Sequence, residues 1–527
     1  MASIPDPSQL AQGRMLSVTQ SILAMMGLCF VVMLVAIDQT VVGTAMPNIV
    51  AELNGFELYA WVATAYLLTS VITVPIFGRL GDFYGRRRFV VVSIVLFTVA
   101  SVLCGMAQSM MQLVLARALQ GVAGGMLVGT AFACIPDLFP DPRVRLRWQV
   151  MMSAAFGIAN GIGPFLGGFL TEQYGWRSVF YVNLPIGLLS LYFVYRYLPL
   201  IRHFRQGSVR LDWQGAVLLM LGLGCIQLLV ELLPQHGASS FMVLLGVASL
   251  AAFGLLVHWE RRAAEPLLPA ALFSNPAQLA LFVLSVGLGF ILFSLLFYGP
   301  LLLQGGFGLR PQTAGLLITP LVVFITVGSI INGRVVTRLS RPNIMLYLGL
   351  ALLTIACIGM VFMDKTVPHW QFVLYAIAGG TGIGFIMPNL TVFSQEIAER
   401  SMLGIATAML QSMRMVGGML GTAIVGTLVT YQYGEGLSSR VAGLPAELAA
   451  SLKDPQLLMS AAQQAQFLEL AGRQGQAGQL WLGVARDSLA HAVNIGMAVT
   501  LLLIVWCFYW VRKVPPIRFA RKAESSQ

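Results

Sequence analysis

Residues 78–88 read GRLGDFYGRRR. On either side lies an apolar run of about twenty residues, long enough to cross a hydrocarbon core of about 30 Å as a helix. Only helices and closed barrels satisfy their backbone within a bilayer, so a polar connector this short between two such runs makes a helical hairpin. Gly78, Gly81 and Gly85 permit tight turns. Arg86, Arg87 and Arg88 favour the cytoplasmic side. Asp82 either pairs with those arginines or caps a helix N-terminus, a contact that breaks when parts of the molecule rock. Gly78, Asp82, Gly85, Arg86 and Arg87 are therefore the expected conformational gate.

The rest of the chain repeats the pattern. Its 527 residues are 57% hydrophobic and only 10% charged, with a mean hydropathy of +0.80, a balance that excludes a water-soluble globular protein. Apolar stretches recur from Ile22 to Val511, about fourteen in all at the length a span needs. The first is too long and too evenly apolar for a secretory signal and lacks a small-residue cleavage site, so it reads as an uncleaved helix. The net charge of +11 does not point to nucleic acid, because lysine and arginine follow loop parity and form no single patch. That parity places both termini in the cytoplasm. All six cysteines fall within apolar stretches without ligand spacing, and the five histidines are scattered. No metal site, disulfide framework, cofactor or enzyme centre is indicated.

The fold class expected is an all-α integral membrane protein of two six-helix bundles and an inserted helix pair. The first bundle occupies residues 15–205, the inserted hairpin 206–275 and the second bundle 276–515, followed by a cytoplasmic tail, 516–527. The second bundle contains an extracytoplasmic loop, 431–487, whose sequence suits short amphipathic helices separated by Pro455. GRLGDFYGRRR has a degenerate counterpart, GRVVTRLSRPN, at residues 333–343. Paired halves of this kind are the usual construction of secondary transporters, with the substrate site between them at mid-membrane.

Charges inside the apolar stretches are the candidate functional residues. Asp38, in VAIDQTVVG, lies deep in the first stretch, where an unpaired carboxylate costs about 2.5–3.5 kcal/mol or more. It must be protonated, paired or facing water. Desolvation favours its neutral form and a neighbouring guanidinium its charged form, so movement between the two environments takes up and releases a proton. Thr40 and Thr44 bring hydroxyls to the same region, and Tyr66, Asn160, Asn183, Gln227, Asn389 and Gln411 are further polar candidates for a cavity wall. Arg117 shares a helical stripe with Gln120, Gly121 and Gly124. Arg414 shares one with Gln411, Gly418 and Gly421, as a cation for acidic substrates, a partner for a carboxylate or a charge on helix C-termini. Gly163, Pro164, Gly167 and Gly168 in GPFLGG describe a kinked, closely packed helix. Glu231 and Glu396 read as interfacial.

These segments together resemble one family. GRLGDFYGRRR matches in spacing and type the loop signature of the major facilitator superfamily, LARALQGVAGG its fourth-helix motif, and GPFLGG the fifth-helix motif associated with antiporters. With AIDQTVVGTAMPN, WRSVFYVNLPIG, LDWQG and SMRMVGGMLG, the chain resembles the fourteen-helix drug:proton antiporters, the QacA/EmrB-like family, over nearly its whole length. The resemblance implies proton-coupled multidrug export of hydrophobic or amphiphilic compounds across the bacterial inner membrane, powered by the proton motive force. It assigns Arg117 to proton coupling beside Asp38. The alternative is a major facilitator exporting one physiological metabolite, lipid or siderophore. QacA-like exporters of divalent cations carry extra acids in later helices, which the tenth and thirteenth stretches lack here, so multivalent cations are not the expected cargo. EmrB-like members work with a periplasmic adaptor and an outer-membrane channel, for which the 431–487 loop is a candidate docking surface. Relatives of the QacA type carry insertions at the same place, so that partner stays open.

Overall fold

The computed structural model describes residues 18–516, apart from 54–57, 140, 200–211, 237–238, 264–265, 310, 400–401, 439, 442–443, 454–456 and 459–460. Its helices are α1 Val18–Leu53, α2 Tyr59–Tyr84, α3 Arg86–Gly105, α4 Met110–Ala131, α5 Cys134–Leu138, α6 Pro142–Tyr174, α7 Ser178–Tyr181, α8 Asn183–Tyr197, α9 Trp213–His236 and α10 Ser240–Glu260. They continue with α11 Ala270–Ser274, α12 Pro276–Leu301, α13 Pro311–Val335, α14 Ile344–Val361, α15 His369–Ile397, α16 Leu403–Ser438, α17 Ala446–Lys453, α18 Ala461–Arg473 and α19 Gly478–Val511. Among the described residues no strand occurs.

Twelve of these segments are long and apolar enough to cross a membrane, and α6, bent by 42° near Gly163, makes a thirteenth if counted as one span. The fourteen expected from hydropathy are not reached by this measure. The helix at the second expected span runs Tyr59–Tyr84, but its apolar part is only Ala65–Gly78. Gly85, with φ 88°, turns the chain from α2 into α3, a conformation that costs a side-chain-bearing residue and not glycine.

The two halves repeat one packing scheme. In the first, α1 lies on α6 and α8, and α4 on α2 and α3. In the second, α12 lies on α16 and α19, and α15 on α13 and α14. Water gives no hydrophobic drive between helices in a bilayer, so close backbone approach and interhelical hydrogen bonds supply the attraction. On α4, any Cβ added at Gly121, Gly125 or Gly129 would overlap the α2 backbone at Tyr66, Ser70 or Val74. Ser70 Oγ donates to Gly121 O at 2.8 Å, and Thr69 Oγ1 to Ala118 O at 2.9 Å. In the second half, Gly380 and Gly384 of α15 meet the α13 backbone at Leu321 and Ile325 in the same way. Asn332 and Asn389 exchange amide hydrogen bonds across that pair, at 3.2 and 2.7 Å.

The halves meet at the end of the bundle that carries Arg86–Arg88. Gly78 of α2 abuts Ala408 of α16, and Ser412 Oγ donates to Val71 O at 3.0 Å. Between α6 and α13, Val150 lies against Gly333, Ala154 and Gly157 against Thr326, and Gly161 against Val322. From Gly163 onward the described packing of α6 is with its own half, on Thr40, and through Leu166 and Leu170 in the cluster around α1. This conformation is therefore closed at the arginine-rich end. The hairpin α9–α10 lies along the seam, where Leu219, Leu223 and Leu256 pack with Val71 and Ile76 of α2 and Met419 of α16. Leu244, Val247 and Leu250 on its other side are exposed, as a lipid-facing surface requires.

The described residues of the 431–487 segment are folded, and Pro455 lies outside them. α16 runs on to Ser438, α19 begins at Gly478, and α17 and α18 fill the space between. Leu437, Leu448, Leu452, Phe467, Leu482 and Leu489 join the core of the second half, and Tyr433 Oη donates to Leu452 O at 2.6 Å. The last helix thus starts about ten residues before the apolar stretch suggests, because its outer turns bury their apolar face on this cap.

Close packing predicts where bulk is tolerated. Gly125→Leu must drive a side chain into the α2 backbone and cost about 1–3 kcal/mol or more, whereas Gly246 on α10 has nothing within 4 Å of an added Cβ. Melting curves of purified protein are expected to show a large loss for Gly125→Leu and none for Gly246→Leu; equal curves would remove this account of the α2–α4 contact.

Candidate functional site

Asp38 is completely buried, and both of its oxygens are occupied. Arg117 Nη1 of α4 donates to Oδ2 at 2.6 Å. Gln120 Nε2 of the same helix donates to Oδ1 at 2.7 Å, and Asn183 Nδ2 of α8 to Oδ1 at 2.8 Å. The donors are themselves fixed. Arg117 Nη1 also donates to Gln120 Oε1 at 2.7 Å, its Nε donates to Val62 O of α2 at 3.3 Å, and its guanidinium lies 4.5 Å from the centre of the Tyr66 ring. Asn183 Nδ2 also donates to Ser101 Oγ of α3 at 2.9 Å, and Ser101 donates to Phe180 O at 2.8 Å. One carboxylate thereby ties α1, α2, α3, α4, α7 and α8 together. A guanidinium and two amides are the donor set that stabilises the ionised acid away from water.

The gate residues divide between two tasks. Arg86, nearly buried, pairs with Asp137 of α5 and donates to Ala133 O. Arg87 donates to Tyr195 O and lies over the Tyr195 ring at 5.3 Å. These contacts lie within the first half, whereas Gly78 touches the second. The Asp82 side chain lies outside the described residues. A further ion pair crosses between the halves at the same end: Arg145 Nη1 of α6 to Glu396 Oε1 of α15, 2.8 Å. Glu396, read as interfacial from sequence, is a bridge between the halves.

The fifth-helix glycines also separate. A Cβ at Gly163 would overlap Thr40 Oγ1, so that position is needed for the α1–α6 contact, whereas Gly168 faces open space. Gly167 is buried, and the Pro164 side chain lies outside the described residues. At the opposite end of the bundle Trp176 Nε1 donates to Glu52 Oε2 at 2.8 Å, and Arg177 pairs with the same carboxylate. Arg177 and Trp176 together hold the Glu52 carboxyl below its usual range. Trp176 is therefore a buried clasp on the end of α1.

Of the cavity candidates, Tyr66 is 1% exposed beneath Arg117, and Asn389 is bound to Asn332. Asn160 and Arg414 keep partial exposure, Gln411 is buried beside Arg414, and the Thr44 side chain lies outside the described residues. On α6 the exposed Ile158, Ile162, Phe165 and Phe169 mark the outer side; Asn160 and Phe156 lie off that stripe, and Phe156 packs against the clusters of both halves. Gln120, Asn183 and Tyr66 belong together at Asp38, while Gln411 and Arg414 form a separate pair on α16.

The major facilitator superfamily model matches residues 28–422. This chain belongs to that superfamily. It is 33% identical to Multidrug resistance protein 3 of Bacillus subtilis over 453 residues, 84% of this chain and 87% of that one. It is 32% identical to the multidrug transporter protein MdtP of the same organism over 437 residues, 81% and 80% of the two chains. Among solved structures it resembles the major facilitator proton:xylose symporter XylE with a TM-score of 0.60 at 13% identity, over 96% of this chain and 98% of that one. That likeness concerns the fold. The protein is a multi-pass major facilitator transporter and not an enzyme.

The Asp38 cluster predicts an asymmetry in this transporter's stability. Arg117→Met leaves a buried carboxylate without its cation and is expected to cost about 3–5 kcal/mol; adding Asp38→Asn removes the stranded charge and recovers part of the loss. Chemical unfolding of the purified variants checks this, and a double variant no more stable than Arg117→Met alone contradicts it.

Proposed function

We propose that this major facilitator exports hydrophobic or amphiphilic compounds across the bacterial inner membrane in exchange for protons. The observation that carries the reading is the saturated, fully buried Asp38 with Arg117 at 2.6 Å. The guanidinium and the two amides are donors matched to a carboxylate. A proton reaching Asp38 cancels its charge, weakens the bonds from Arg117, Gln120 and Asn183, and frees α1 to move against α4 and α8. Separating the halves at the arginine-rich end then requires loss of the Arg145–Glu396 pair and of the α2–α16 and α6–α13 contacts. Return of Arg117 to the acid expels the proton. Alternating access follows if the proton-bound and substrate-bound forms favour opposite conformations. The multidrug names of the two Bacillus relatives support a hydrophobic and varied cargo. The methionines and phenylalanines of the interior fit the same reading, since flexible apolar walls accept many shapes.

In proteoliposomes with an imposed pH gradient, the wild-type protein is expected to drive a lipophilic dye against its concentration gradient with proton movement in the opposite direction. Asp38→Asn is expected to retain downhill dye movement and lose at least about tenfold of the gradient-driven rate, since a group that no longer titrates transfers no free energy from the gradient. Dye accumulation without proton flux, or normal coupling in Asp38→Asn, would falsify exchange through this acid.

A further inference from the structure

Among the described residues, Arg414 is a deep cation with no ion-pair partner. It lies eleven residues after the start of α16 and twenty-four before its end, so it neutralises neither terminus of that helix. Its Nη2 donates to Gln411 Oε1, one turn back. Among the described residues no carboxylate pairs with it. Two further acids, Glu231 and Asp82, lie in described helices although their side chains are not described, and their helices place them elsewhere. Glu231 follows Val230, whose carbonyl accepts from Thr427, and Thr427 is about 20 Å further along α16 at the helical rise. Asp82 lies one turn beyond Gly78, which meets Ala408, on the arginine-rich side of Arg414.

Gln411 points to the missing partner. It is 1% exposed, and while its oxygen accepts from Arg414, its Nε2 donor is buried without an acceptor. A guanidinium has five N–H donors and no acceptor, so the partly exposed Arg414 keeps N–H groups beyond its bond to Gln411, beside the buried and unpartnered Gln411 Nε2. Unmet donors in a low-dielectric interior are costly. The register of α16 shows where they face: Ala408 and Ser412 meet α2, Gly417 and Gly421 meet α12, and Gln411, Arg414 and Gly418 share the stripe between. Gly418 lies against Phe293, which stacks with Phe297 at 6.3 Å. An apolar wall therefore continues from the donors toward the opposite end of the bundle. Asp38 and Arg117 cancel one another, whereas among the described residues nothing cancels Arg414.

We propose that Gln411 and Arg414 are the recognition subsite for a carboxylate on the transported compound, so that the cargo is an anionic amphiphile, a weak organic acid with a hydrophobic body, in preference to a lipophilic cation. The planar guanidinium takes the carboxylate through two N–H groups, Gln411 Nε2 supplies a further donor, and Phe293 and Phe297 hold the apolar body. The proposal rests on the export reading only for the direction in which that acid travels. It places proton and cargo on different halves, with exclusion between them conformational and not a competition for one carboxylate.

The test is equilibrium binding to the purified full chain in detergent at neutral pH, without a gradient, read as energy transfer from tryptophan to dansyl-aminoundecanoate and to its uncharged primary amide. The carboxylate is expected to bind the wild type about tenfold tighter than the amide, and Gln411→Leu to weaken the carboxylate about threefold. Arg414→Gln is expected to bring the two probes within about twofold of each other. Arg414→Lys keeps the charge without the planar fork and guards against a misfolded glutamine variant; its preference should fall several-fold. Equal binding of the two probes to the wild type, or an unchanged preference in either Arg414 variant, overturns the proposal. Because no gradient is present, a missing carboxylate preference with intact coupling through Asp38 sinks the subsite alone. A clear preference in a protein whose Asp38→Asn variant still couples sinks the proton-exchange reading alone.

Discussion

The first half of the molecule is organised by the ion pair between Asp38 and Arg117. Two opposite charges taken out of water are tolerated only if their remaining hydrogen-bonding capacity is met, and here the cluster reaches six helices to meet it. α1 cannot slide against α4 or α8 without breaking bonds to the carboxylate. The same bonds depend on one negative charge. A structure held by a titratable group is one that a single proton loosens, which is why the helices that need most support in this half are also the ones best placed to move.

The second half has the same packing and a different charge. α12 meets α16 through Gly289, Gly417 and Gly421 as closely as α1 meets α6 at Gly163, and α13 meets α15 as α2 meets α4. No acid lies where the first half has Asp38, and the deep charge there is Arg414. On the proposed reading, halves alike in backbone and unlike in electrostatics divide the work: one titrates, the other recognises. The seam of α2 on α16 and α6 on α13 joins the two at the arginine-rich end, where Arg145 and Glu396 add an ionic contact across it.

Much of this was legible in the sequence because charge in an apolar stretch is conspicuous. Asp38, Arg117 and Arg414 stand out by that test, and Gln120 follows from its place one turn beyond Arg117. Their partners do not. Asn183 lies 145 positions from Asp38 and Glu396 lies 251 from Arg145, and nothing in the spacing of such residues records that the fold brings them together. Asp137 was invisible as the partner of Arg86 for the same reason. The helical character of the 431–487 segment was readable from its amphipathic pattern, but its packing was not, because Tyr433 and Leu437 belong to an apolar helix that simply continues out of the membrane. The burial of Trp176 was not legible either, since it depends on Glu52 being carried to it by the last turns of α1.

The central claim is that Asp38 exchanges a proton as cargo binds. Infrared difference spectra of the purified protein, recorded on adding a transported compound at constant pH, report carboxyl protonation through its C=O stretch. The account predicts a change in the protonated-carboxyl band that disappears in Asp38→Asn while cargo still binds. The same band change in both proteins, or none in the wild type, would contradict it.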